Sequence, residues 1–109
     1  MANRNRGRVM ITDNEKFQKE VKNIVDNKIV SHSLLYWLNH QEKKTRSWFI
    51  DLILIYILGK ENKLLYTVLY LLFRKEYNEI IDSTKKVTKE AILNLVNKIQ
   101  SWYKSRREH

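Results

Sequence analysis

Residues 53–75 read ILIYILGKENKLLYTVLYLLFRK. They predict two short helices joined by a tight turn at Gly59–Asn62. Gly59 is one of only two glycines in a chain of 109 residues that has no proline. A glycine is the residue that enters a turn most cheaply. The helix after the turn carries Leu65, Val68, Leu69 and Leu72 on one side. Its other side carries Lys63, Tyr66, Thr67, Tyr70 and Arg74. The apolar side is expected to pack into a domain and the polar side to reach a partner, which makes this a candidate recognition helix.

The surroundings of this stretch bound the partner. The chain is 43% apolar and carries a net charge of +9. That is enough for one domain with a modest core, and the excess of cations favours a polyanion, nucleic acid before an anionic membrane surface. There is no cysteine, so disulfides and thiolate metal sites are excluded and a reducing interior fits. The N-terminus MANRNRGRVM is polar and basic and does not read as a secretory signal. The longest apolar run, Trp48–Leu58, includes Asp51. It is about half the ~20 residues that a membrane-spanning helix needs. The expected location is therefore cytoplasmic and nucleoid-associated, with no membrane partner.

In chain order, residues 1–11 form a basic arm with Arg4, Arg6 and Arg8, ahead of one domain over residues 12–109. Thr12–Glu15 is a capping box. It opens a helix to about Asn27 with Phe17, Val21, Ile24 and Val25 on one face. Ser31 or Ser33 caps a second helix, about His32–Glu42, with Leu34, Leu35 and Leu38 inward. Lys43, Lys44, Thr45 and Arg46 make a short polar link. Thr45 or Ser47 then caps a third helix, Trp48–Leu58, with Asp51 in its first turn. The fourth helix, about Lys63–Glu76, is the candidate recognition helix. Beyond it, Tyr77, Glu79 and Ile81 alternate with Asn78, Ile80 and Asp82, a weak strand signal. Asp82-Ser83-Thr84-Lys85 is turn chemistry, so residues 77–88 are expected to form a small hairpin with Lys85 and Lys86 at its tip; a plain loop is the alternative. Thr88 caps a long final helix, about residues 88–107, with a stripe of Ile92, Leu95, Val96, Ile99, Trp102 and Tyr103. The stripe favours pairing of two copies in coiled-coil fashion; folding back onto the first helix is the alternative.

The order helix, Leu-Gly turn, helix, hairpin, long helix resembles the winged helix-turn-helix layout. Gly59 is followed six and nine positions later by Leu65 and Val68, as in such units. The run Leu65-Tyr66-Thr67-Val68-Leu69, with Leu72 and Lys75, is similar to the Leu-Tyr-Pro-Val-Leu…Leu…Lys of PadR-like winged-helix regulators. Val87-Thr88-Lys89-Glu90-Ala91 is similar to that family's Leu-Thr-x-x-Gly. The chain departs from the pattern at Ile55, where a small residue is usual, and at Glu76 and Tyr77, where a glycine is common. The extra N-terminal helix and basic arm also resemble winged-helix adaptors of archaeal plasmid-partition systems. The implied fold is mainly α, a winged helix-turn-helix with extra N-terminal helices, a hairpin wing and a C-terminal dimerisation helix.

The resemblance implies a homodimer that binds double-stranded DNA, as a transcription regulator or as a segregation adaptor with a partner protein in the partition complex. Asn62, Lys63, Tyr66, Thr67 and Tyr70 would approach bases and phosphates, with Arg74 on the backbone. Lys43, Lys44 and Arg46 would meet phosphate near a helix start. Lys85 and Lys86 would touch the neighbouring groove, and Arg4, Arg6 and Arg8 would add minor-groove or backbone contact. Nothing in the sequence suggests an enzyme: no phosphate loop, no nucleophile–base set, no metal-ligand spacing around His32, His40 or His109, and no cofactor motif. Two rival readings stand beside this one. One is a helical bundle that coats or packages nucleic acid without reading it. The other is a helical protein of the membrane surface. A hairpin at residues 77–88 separates the first reading from both rivals.

Overall fold

Tyr77, Ile80 and Ile81 recur at the spacing of a helix face, and in the computed structural model they occupy one. The structure describes the backbone of residues 2–107 and the side chains of residues 15–107. It is built from α1 (Ala2–Asn27), α2 (His32–Asn39), α3 (Lys43–Leu58), α4 (Lys63–Leu72), α5 (Arg74–Ile81) and α6 (Lys89–Arg107). Among the described residues there is no strand, and the expected hairpin wing at 77–88 is absent. A strand would have put Tyr77 and Ile81 on one side and Ile80 on the other. The helix α5 buries all three together. The return strand fails for a second reason. Val87 donates its N–H to Asn39 Oδ1 at 2.7 Å and accepts from Asn39 Nδ2 at 3.1 Å. Its backbone is thus claimed by a side chain of α2. The mainly helical expectation fits, and the winged fold does not.

The long stripe of α6 has an intramolecular use. Ile92, Leu95, Val96 and Ile99 are fully buried within a single chain, because α6 packs on α5, α1 and α3. The expected dimer seam is therefore core, and only Trp102 and Tyr103 at its far end stay half-buried. Burying four aliphatic side chains, at ~1.5–3 kcal/mol each, is what closes the bundle. Thr88 Oγ1 starts the helix by accepting from Ala91 N–H at 3.1 Å.

Elsewhere the boundaries move. α1 runs unbroken from Ala2 through the capping box at Thr12–Glu15, where the sequence places a helix start. The side chains of Arg4, Arg6 and Arg8 lie outside the described residues. α1 ends at Lys28, which sits in the left-handed region at φ 58. Its ammonium donates to the carbonyl of Val25 at 2.6 Å and to Gln100 Oε1, tying the helix end to α6. α2 is capped by Ser31 and stops at Asn39, short of Glu42. α3 begins at Lys43, so the expected polar link of Lys43, Lys44 and Arg46 is its first turn. Asp51 consequently falls in mid-helix. α3 ends on Gly59 at φ 77, which donates its N–H to Ile55. α4 is shorter than expected because Phe73, at φ −116 and ψ 36, breaks it from α5.

Candidate nucleic-acid interface

Arg46 was expected to face phosphate. Among the described residues it is the one charged side chain in the core, at 1% exposure. Its Nε donates to the carbonyls of Leu38 (3.1 Å) and Gln41 (3.0 Å). Nη1 donates to those of Ile80 (3.2 Å), Asp82 (2.9 Å) and Lys85 (3.0 Å), and Nη2 reaches Asn39 at 3.5 Å. Among the described residues no carboxylate pairs with it. The charge is balanced by carbonyl dipoles at the C-terminal ends of α2 and α5, where a cation is favoured. Burying a guanidinium is costly unless its donors are met, and here the backbone meets them. The position was readable from periodicity: Arg46 stands on the same face as Phe49, Ile50 and Ile53, all buried.

This buried residue creates the surface around it. It staples the turn after α2 to the turn after α5, segments that are more than forty positions apart in sequence. Asp82 organises the second turn by accepting from Thr84 N–H (3.0 Å) and Thr84 Oγ1 (2.6 Å). The Thr84 hydrogen bonds hold its carboxyl below the usual range, with smaller help from the nearby charges of Lys85 and Lys43. Lys43, Lys44, Lys85 and Lys86 are exposed on this edge. Lys89, which the sequence reading missed, joins them beside Lys86 at the start of α6. Both α3 and α6 begin here, so two helix N-termini add positive field to the lysines. Among the described residues the one ion pair is Lys98–Glu76, at 2.8 Å on another part of the surface. Lys98 holds the Glu76 carboxyl below its usual range through that bond. Among the described residues none of the edge lysines forms a salt bridge, although Glu42, Asp82 and Glu90 lie on the same edge and Lys43 and Lys85 are near the Asp82 carboxylate.

The candidate recognition helix has a different orientation from the expected one. Tyr66 and Tyr70 turn toward the core and pack on it with Leu65. Tyr70 meets Tyr77 edge-on, with ring centroids 5.4 Å apart. The hydroxyls of Tyr66 and Tyr77 are buried without a protein hydrogen-bond partner. They lie near Asp51, whose carboxyl burial pushes up, with Glu61 adding to the effect. A phosphate would find repulsion there. Asn62 is a helix cap, accepting Leu65 N–H at 3.1 Å. Thr67 donates its hydroxyl to the carbonyl of Lys63 at 3.1 Å. Of the six residues assigned to this DNA-facing side, Lys63, Thr67 and Arg74 are exposed. The direction opposite the core is taken by Leu64 and Leu71 instead.

No metal-holding group of His, Cys, Asp or Glu occurs among the described residues. No described helix is long and apolar enough to cross a membrane. Compared with family models, curated proteins and solved structures, the chain matches none.

Proposed function

We propose that this chain is a helical nucleic-acid-binding protein that grips the phosphate backbone without reading base sequence. The observation that carries the reading is the edge formed by Lys43, Lys44, Lys85, Lys86 and Lys89 around the Arg46 staple. Lysines on a fixed backbone, beside two helix starts, suit phosphate oxygens as point-charge contacts. Such contacts position a protein on a duplex and carry no sequence information. Base readout needs side chains that reach base edges in a groove. α4 offers leucines in the outward direction, so a role as specific regulator or segregation adaptor draws no support from it.

The reading is tested by fluorescence anisotropy with duplexes of unrelated sequence, including DNA upstream of the chain's own gene. Affinities should be similar for all, and should fall steeply with salt because binding releases counterions. A preference of ~10³-fold for one duplex, the scale of a sequence reader, would contradict the proposal. So would a failure to bind any duplex at low salt.

A further inference from the structure

The outward face of α4 is apolar. Leu64 is 78% exposed, Leu71 64% and Leu72 54%, with Val68 beside them. The helix contains no acidic residue, and it contributes a single fully buried side chain, Leu69. Leucines pointing straight away from a core lose hydrophobic free energy unless something covers them. Charge says what. Lys60 and Lys63 stand at one end of the stripe and Arg74 and Lys75 at the other, all exposed, against the lone exposed acid Glu61.

We propose that α4 docks on the surface of a bilayer rich in anionic phospholipid, with Leu64, Leu71 and Leu72 among the acyl chains and the four cations at the headgroups. An apolar face bordered by Lys and Arg is the pattern of a helix lying in the membrane interface. At ten residues α4 is roughly 15 Å long, half of a hydrocarbon core, so it lies in the plane and does not cross it. A second copy fits less well. Antiparallel pairing along α4 sets Lys60 and Lys63 against the partner's Arg74 and Lys75, and parallel pairing sets each cation against its own counterpart. Either arrangement juxtaposes like charges across the interface. The surface is separate from the lysine edge, so it is tested separately.

The test is co-sedimentation of the full chain with vesicles of phosphatidylglycerol and phosphatidylcholine, and with phosphatidylcholine alone. The chain should bind the anionic vesicles. The charge-neutral variant Leu64→Ser/Leu71→Ser should lose that binding by on the order of tenfold or more, with its circular dichroism and duplex affinity unchanged. Because the chain has no cysteine, Leu71→Cys can carry an environment-sensitive dye, whose emission should shift to the blue on the anionic vesicles. Vesicle binding that survives Leu64→Ser/Leu71→Ser, or a dye that stays in water, would overturn the proposal. So would absence of vesicle binding, or a dimer by light scattering that becomes monomeric in the double serine variant.

Discussion

The turns joined by Arg46 and the helix α4 are opposite ways of holding a segment. The first is irregular backbone fixed by hydrogen bonds from a buried and a half-buried side chain: Arg46 to carbonyls on both turns and Asn39 to both polar groups of Val87. The second is regular backbone with self-contained hydrogen bonds, held by Leu69 and a few half-buried neighbours. One region spends buried polar groups to make a surface of fixed shape. The other leaves apolar groups outside and hides the hydroxyl of Tyr66, like that of Tyr77 on α5, without a protein partner. Secondary structure is therefore a poor guide to rigidity here. The loops are expected to be the stiffer element and the helix the one free to bind by its apolar side.

Substitutions at Arg46 should have the largest effect. Arg46→Ala leaves carbonyls on two turns without donors, and should cost about 3 kcal/mol or more in denaturant unfolding. Arg46→Lys should recover only part, because an ammonium cannot span both turns as a planar fork does. Should Arg46→Ala unfold at the wild-type midpoint, the staple is not holding the edge. At α4 the contrast is between neighbours. Leu69→Ala should cost ~2–3 kcal/mol, toward the low end for a buried leucine, since a thinly packed site can collapse around the loss. Leu71→Ser, two residues away, should stay within about 0.5 kcal/mol. Equal losses at the two positions would mean that α4 is covered on both faces.

The smallest expected effect concerns Asp51 beneath α4. Burial, then Glu61, raises its carboxyl above the ordinary range. A carboxyl raised in the folded state binds more protons there than in the unfolded chain. Stability is therefore full below the unfolded value and declines as pH rises through the folded one. Thermal unfolding from about pH 4 to pH 7 should show that decline in the wild type and less of it in Asp51→Asn. The variant should be the more stable of the two at neutral pH. A steeper decline in Asp51→Asn would remove the charge beneath α4 from the account.

Much of the helical framework was legible in the residues themselves. Ser31 and Thr88 cap where hydroxyls precede apolar periodicity, and Gly59 ends α3 in the left-handed region where a side chain is strained. Residues 77–88 are locally ambiguous, because Tyr77, Ile80 and Ile81 satisfy a helix while Tyr77, Glu79 and Ile81 imitate a strand. Choosing between them needs the long-range claim of Asn39 on Val87, which no local pattern carries. The orientation of α4 is ambiguous in the sequence because both its faces are apolar; Tyr66 and Tyr70 pack against the core beside Leu69, and Leu64 and Leu71 face outward. At the lysine edge, each cation was visible in the sequence but their neighbourhood was not. Arg46 brings them together by bonding to backbone, and backbone partners leave no trace in residue types.

If the Arg46-pinned lysines hold phosphate, the salt dependence of duplex binding reports how many of those contacts form. Duplex affinity is followed against salt for the wild type and for Lys43→Gln/Lys44→Gln/Lys85→Gln/Lys86→Gln, with circular dichroism as the control for folding. At about 0.9 per neutralised phosphate, the slope of log affinity against log salt should become shallower by roughly 3 to 4. An unchanged slope in a folded quadruple variant would place the phosphate contacts elsewhere and contradict the claim.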